Sequence, residues 1–353
     1  MSTRNSNIEV LRIIAMVMVL SLHSFLWNLA SGSDGYIHEF SLGVCFDYFR
    51  ESLCICAVNV FVLISGYYGI KWKLKSFLNF VFQVCFWSLG LYLMLLLFGK
   101  VSYSNSELFY RFVGVIGNYW FVEAYLGLYL LSPILNLWLD RTPRRSVLVL
   151  TLLFILFEVV SELLGLKRNF VRGYNTLAFC GIYMIGKLLY LYKDKLSTYL
   201  SISTLKRTLL YVLFALIITS ISLYKLFVKG NDYMTIQLSF NYAYSNPLVI
   251  IEGILLFLVF IPLKFDNKYV NFFACSNFSV YLFHMHPNIQ DRYYLICGQL
   301  YDRPFLFHLL ALIGLFCGIV LFAVLVDKIR MRFFEWIYPK CEIFFVKLWN
   351  TRG

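Results

Sequence analysis

Apolar runs of about 18 or more residues recur along the whole chain, separated by short polar stretches, and each is long enough to cross a hydrocarbon core of about 30 Å as a helix. The runs fall at approximately 8–29, 51–70, 77–98, 119–139, 147–165, 174–192, 208–228, 247–262, 272–289 and 304–327. This pattern predicts an all-α, polytopic membrane protein with about ten transmembrane helices. It leaves no stretch for a separate soluble domain. The expected organisation is one membrane domain over residues 1–327 and a short basic tail over 328–353. The longest polar segments, about 30–50, 99–118 and 229–246, are the expected external loops.

Composition agrees with the pattern: 60% of residues are hydrophobic and 14% charged, against about 25% charged in a soluble domain. Mean hydropathy is +0.73. Ten spans put both termini on one side, and the distribution of Lys and Arg decides which. Of the 31 basic residues, 20 fall on the N-terminal side, 10 on the other, and Lys187 lies within a span. Both termini are therefore expected in the cytoplasm. The same asymmetry explains most of the +12 net charge. Nucleic-acid binding is not implied, because the basic residues sit in short loops without a basic face or an aromatic-interleaved groove. Nine cysteines are scattered, mostly inside spans, which argues against a disulfide framework; Cys45 and Cys297 share the outer side and form the one pairing to consider. A secretory signal is the competing reading of the first thirty residues. The apolar run is too long for one, and "NLASG" is a poor cleavage site, so the segment reads as the first span.

A charged group inside a span costs about 2.5–3.5 kcal/mol, so its placement reports a partner, a pathway or a site. Expected depths place His23, Glu123, Glu158, Glu162, Glu252 and His284 in the outer parts of their spans, with Arg12 and Lys187 toward the cytoplasm. An outward cavity lined by acids and histidines, with cations below it, follows from that pattern. Arg12 and His23 are eleven residues apart, which at 100° per residue leaves them about 20° from eclipsed and about 16 Å apart along the axis. One helix stripe carries both. The plainer alternative makes Arg12 a snorkelling anchor and His23 a polar packing residue.

Three segments together carry a family resemblance. The first is the Arg, ten residues, His spacing of Arg12 and His23 in "EVLRIIAMVMVLSLHSF". The second is "VNVFVLISGYYGIKWKLK", with Asn59, Ser65 and Gly66 before a basic loop. The third is "SNFSVYLFHMHP", with Ser279, Tyr281, Leu282 and His284. "NYWFVEAYLGLYLLSP" adds Trp120 and Glu123 at the start of a span. In this order the segments resemble the acyltransferase-3 family of integral membrane acyltransferases, over about residues 7–327. The chain departs from the pattern at Asn277, where many relatives have serine, and at the added His286. The extracellular hydrolase-like domain that some relatives carry after the last span is not expected in this sequence, of which only about 26 residues follow residue 327.

The resemblance implies transfer of an acyl group, commonly acetyl, from cytoplasmic acyl-CoA to a hydroxyl of a cell-envelope polysaccharide or lipid-linked sugar, in a bacterial cytoplasmic (inner) membrane. Acetyl-CoA or another acyl-CoA is then a donor substrate, with no permanently bound cofactor and no metal. The expected partners are membrane lipids, the donor and the glycan acceptor. His23 is the expected base that takes the hydroxyl proton, with Glu123 at matching depth as its orienting carboxylate. Arg12, Lys71, Lys73 and Lys75 are expected to meet the CoA phosphates. Trp120 and Tyr281 are candidate walls for a sugar, and Asn59, Ser65, Gly66, Ser279 and His284 candidate supports. Each has a plainer role open to it: the lysines as topology determinants, Trp120 as an interfacial anchor, Ser65 and Gly66 as helix-packing residues. Glu158 and Glu162 are acceptor candidates or loop-facing residues, and His38 and His308 suggest no role.

Two motif matches fail on context. "GIYMIGKL" has Leu188 where a phosphate-binding loop requires Ser or Thr, and no strand precedes it. His284 and His286, two apart, point nearly opposite ways on a helix and make a poor chelate. A flippase or transporter for lipid-linked sugars is the alternative function, but it calls for repeat symmetry with interrupted helices, which is not evident. A glycan polymerase calls for a larger external loop.

Overall fold

The computed structural model describes residues 6–26, 41–112, 117, 119–165, 171–231, 235–236, 238–301 and 303–350. His38, Lys167 and Arg168 lie outside the described residues. The described chain is helical without strands, in the order α1 (Ser6–Leu26), α2 (Leu42–Cys54), α3 (Ala57–Tyr68), α4 (Leu74–Leu97), α5 (Asn105–Phe112), α6 (Trp120–Arg141), α7 (Arg144–Leu163) and α8 (Thr176–Leu191). It continues through α9 (Lys193–Leu200), α10 (Thr204–Phe227), α11 (Pro247–Phe260), α12 (Lys268–Ala274), α13 (Asn277–His284), α14 (Gln290–Tyr301) and α15 (Phe305–Asn350).

Among the described residues, eight helical stretches are long and apolar enough to cross a membrane. Two of the ten expected spans take another form. The sixth is α8, an apolar helix of 16 residues, and the ninth is divided into α12 and α13. At the division the chain tightens, with Ser276 N–H donating to the Phe273 carbonyl at 3.1 Å, a three-residue bond of the kind found where helices end. Helix α15 runs through residue 327 without a break and extends into the segment expected as a tail.

The bundle is apolar outside as well as inside. Leu150, Leu152, Leu153, Leu156 and Phe157 of α7 and Leu306, Leu310, Ile313 and Leu321 of α15 are exposed, as expected where the solvent is lipid and confers no drive to bury leucine. Close backbone approach holds the interior instead. Helices α3 and α8 cross at Gly66 and Gly186, where an added Cβ would overlap the Tyr183 and Leu63 carbonyl oxygens respectively. Helix ends are closed by side chains: Asn175 and Ser203 accept from Ala178 N–H and Lys206 N–H, and Asn246 caps α11 ahead of Pro247. Asn7 donates to the Phe260 and Ile261 carbonyls at 3.0 and 3.2 Å, satisfying the far end of α11. These ties place α1 at the centre, packed against α2, α3, α12, α13 and α14.

Cys45 and Cys297 are both free thiols. The pairing considered for them does not form.

Candidate functional site

A cavity of about 300 Å³ runs beside α1 and is lined by Arg12, Met16, Val19 and His23 of that helix. The 3.6-residue period is what brings these four to one face. Helix α3 contributes Val58, Phe61 and Ser65, α4 contributes Asn79, Phe80 and Gln83, and α6 contributes Trp120, Phe121 and Tyr125. The break in the ninth span adds Cys275, and α13 adds Asn277, Phe278 and Tyr281. Aromatic rings dominate the wall. Phe121 stacks on Tyr125 at 5.7 Å, Phe278 on Tyr281 at 6.1 Å, and Trp120 on Tyr244 at 5.7 Å.

Arg12 Nη1 donates to Glu9 Oε1 at 2.8 Å, and its side chain is 35% exposed. Its backbone carbonyl accepts from Asn277 Nδ2 at 2.7 Å. The residue that departs from the family pattern therefore ties the divided span to α1. At the other end of the stripe, His23 Nδ1 lies 2.9 Å from His284 Nε2. His284 Nδ1 lies 2.6 Å from the Val280 carbonyl one turn earlier on α13, and His284 is fully buried.

Several expectations need correction. Glu123 is exposed and accepts from the Gly117 N–H; the ring that meets His23 belongs to His284. Depth along a helix fixed Glu123 near His23, but its azimuth turns it away. Lys71, Lys73 and Lys75 are exposed and are not among the cavity residues; Lys75 Nζ sits 5.0 Å from the Tyr338 ring centre. Asn59 is buried off the cavity, donating to the Tyr244 carbonyl at 3.0 Å. Gly66 serves the α3–α8 crossing. Ser279 is buried and accepts from Gln83 Nε2 at 2.8 Å. Ser65, Trp120 and Tyr281 line the cavity, Ser65 within 3.1 Å of the Tyr125 hydroxyl.

Other candidates are committed elsewhere. His286 Nδ1 accepts from Asn288 N–H, so its Nε2–H is the donor to the Ser88 carbonyl at 2.9 Å. Glu162 accepts from Arg172 N–H, and Lys187 pairs with Asp140 at 2.7 Å. Glu158 and Glu252 are buried carboxyls without a hydrogen-bond partner among the described residues. Beyond α13, Asn288 Nδ2 donates to Glu107 Oε1 at 2.9 Å. That bond, with Arg111 at 3.0 Å, holds the Glu107 carboxyl below its ordinary range.

A buried polar network behind the cavity has no counterpart in the sequence reading. Arg330 Nε donates to Asp327 Oδ1 at 2.7 Å and Nη1 to Asn79 Oδ1 at 2.7 Å, while Gln83 Nε2 donates to Asp327 at 3.2 Å. Asn79 and Gln83, one turn apart, are the two amide side chains of a largely apolar α4, and Asp327 and Arg330 share a face at i, i+3. Those are the signals from which the network is readable.

A family model described as an acyltransferase domain matches residues 5–328. No curated protein and no solved structure matches the chain.

Proposed function

The chain belongs to the acyltransferase-3 family and is an integral membrane acyltransferase, and from that premise we propose that it moves an acetyl group from acetyl-CoA to a hydroxyl of a cell-envelope polysaccharide or lipid-linked sugar, in the bacterial cytoplasmic membrane. The observation that carries this reading is one cavity that takes in both Arg12 and His23 along a single face of α1. Ligand pockets span about 300–1,000 Å³, so a cavity of about 300 Å³ suits the extended arm of the donor with a short acyl group. The nucleotide end stays outside, with its phosphates at Arg12. There a phosphate joins Glu9 as a partner of the guanidinium through charge-assisted hydrogen bonds.

At the other end His23 acts as general base. It takes the hydroxyl proton as the acceptor oxygen attacks the thioester carbonyl. Collapse of the tetrahedral intermediate breaks the carbon–sulfur bond, and the proton held by His23 passes to the departing CoA sulfur. Trp120 and Tyr281 present ring faces to the acceptor sugar. The exposed Lys71, Lys73 and Lys75 add positive charge near the donor entrance without entering the cavity.

Calorimetry of acetyl-CoA binding to the purified protein in detergent, wild type against Arg12→Ala, tests the donor assignment. A hydrogen bond to a charged group contributes about 1.5–3 kcal/mol, so binding weakens about ten- to hundredfold in the variant. A folded wild-type sample that binds no acyl-CoA overturns the reading.

A further inference from the structure

We propose that His284 is the positioning residue for His23: it fixes the tautomer that presents His23 Nε2 to the cavity as a lone pair. The inference rests on reading His23 as the base, and it follows from the order of donors and acceptors. The Val280 carbonyl can only accept, so His284 Nδ1, at 2.6 Å, must carry a hydrogen. In a neutral ring the other nitrogen is then an acceptor. His284 Nε2 faces His23 Nδ1 at 2.9 Å, so His23 Nδ1 must donate, and its Nε2 is left unprotonated. The reversed assignment would set a ring lone pair against a carbonyl lone pair at the Val280 contact.

The chain of bonds starts from a backbone carbonyl, which the helix fold holds in place, and no carboxylate takes part among the described residues. Its charge partner is instead the fold itself. His23 lies in the last turn of α1 and His284 in the last turn of α13, and a helix C-terminus favours a cation. When His23 accepts the hydroxyl proton, the imidazolium is stabilised by two helix ends and by the His284 lone pair. Tyr293 closes the pair from behind, its ring 5.5 Å from His284 and its hydroxyl donating to the Leu20 carbonyl at 2.7 Å.

The test is nitrogen NMR of protein labelled with ¹⁵N-histidine in lipid bicelles, joined to transfer kinetics with labelled acetyl-CoA. The chain has five histidines, so His23 is assignable by its loss in His23→Gln. The expected wild-type signal is a protonated Nδ1 and an unprotonated Nε2 on His23. In His284→Leu that tautomer is lost, kcat falls by about 10² or more, and KM for acetyl-CoA stays within about twofold. His284→Gln, whose side-chain oxygen can accept the same hydrogen, retains the tautomer and recovers part of kcat. A purely structural role would lower the folded fraction of both variants without separating kcat from KM or Gln from Leu. A protonated Nε2 on wild-type His23 overturns the proposal, as does full kcat in folded His284→Leu. If wild-type His23 shows the expected tautomer but His23→Ala transfers acetyl at the normal rate, the base assignment fails and the positioning role fails with it.

Discussion

Replacing Asp327 by leucine removes the carboxylate that accepts from Arg330 at 2.7 and 3.2 Å and from Gln83 at 3.2 Å. Arg330 is 2% exposed and Asp327 fully buried, so the guanidinium left behind keeps Asn79 as a partner but loses its counter-charge. Removing one member of a buried pair costs about 3–5 kcal/mol, whereas replacing both by apolar residues of similar volume is often neutral or stabilising by about 1–4 kcal/mol. Asp327→Leu is therefore expected to destabilise by about 3–5 kcal/mol, and Asp327→Leu/Arg330→Met to recover most or all of that. The four proteins of the cycle are compared by reversible unfolding in detergent. Because Gln83 and Asn79 both line the cavity, the single variant also weakens acyl-CoA binding at temperatures where it stays folded. A single variant within about 1 kcal/mol of wild type, or strictly additive effects, would refute the reasoning, since a desolvated pair must couple.

Gly66→Ala places a methyl group on the Tyr183 carbonyl; overpacking of this kind costs about 1–3 kcal/mol, read as a lower unfolding midpoint, and Gly90→Ala, with open space around it, serves as the control. Glu107 has its folded-state pKa lowered, first by the Asn288 hydrogen bond, so its contribution is present above the ordinary carboxylate range and is lost as pH falls through the lowered value. The protection of α5 amides against hydrogen exchange, corrected for the pH dependence of the intrinsic rate, is expected to fall on acidification, and Glu107→Gln flattens that dependence. Tyr281→Leu removes a ring from the cavity wall while leaving the His23–His284 bond in place, and is expected to raise KM for the acceptor more than KM for acetyl-CoA in steady-state assays.

The apolar runs made the membrane fold legible, and the eleven-residue spacing made the Arg12–His23 stripe legible, because both depend only on helix geometry within one segment. Relations between segments were not available that way. Glu123 matches His23 in depth but not in azimuth, and nothing in one span's sequence states how its neighbour is rotated. Lys71, Lys73 and Lys75 sit next to a lining helix in sequence, yet snorkel outward as long cations do. The His284 ring lies on a recognisable motif, but its partner became visible only when α13 was laid against α1. Asp327 and Arg330 stood where a span gives way to a basic tail, and a charged pair there reads as a boundary. Burial against Asn79 and Gln83 makes it an internal network. The divided ninth span is likewise a tertiary feature, held by Asn277 on the Arg12 carbonyl.

The proposed acyl transfer depends on His23 as the base at one end of the cavity. The most direct measurement is transfer of labelled acetyl from acetyl-CoA by protein reconstituted in lipid vesicles with envelope glycan supplied, comparing wild type and His23→Ala at matched insertion and folding. General-base catalysis is worth about 10²–10⁴-fold, so the variant is predicted to bind acetyl-CoA as wild type does and to transfer at least a hundredfold more slowly. Transfer at the wild-type rate by a folded, well-inserted His23→Ala protein would contradict it.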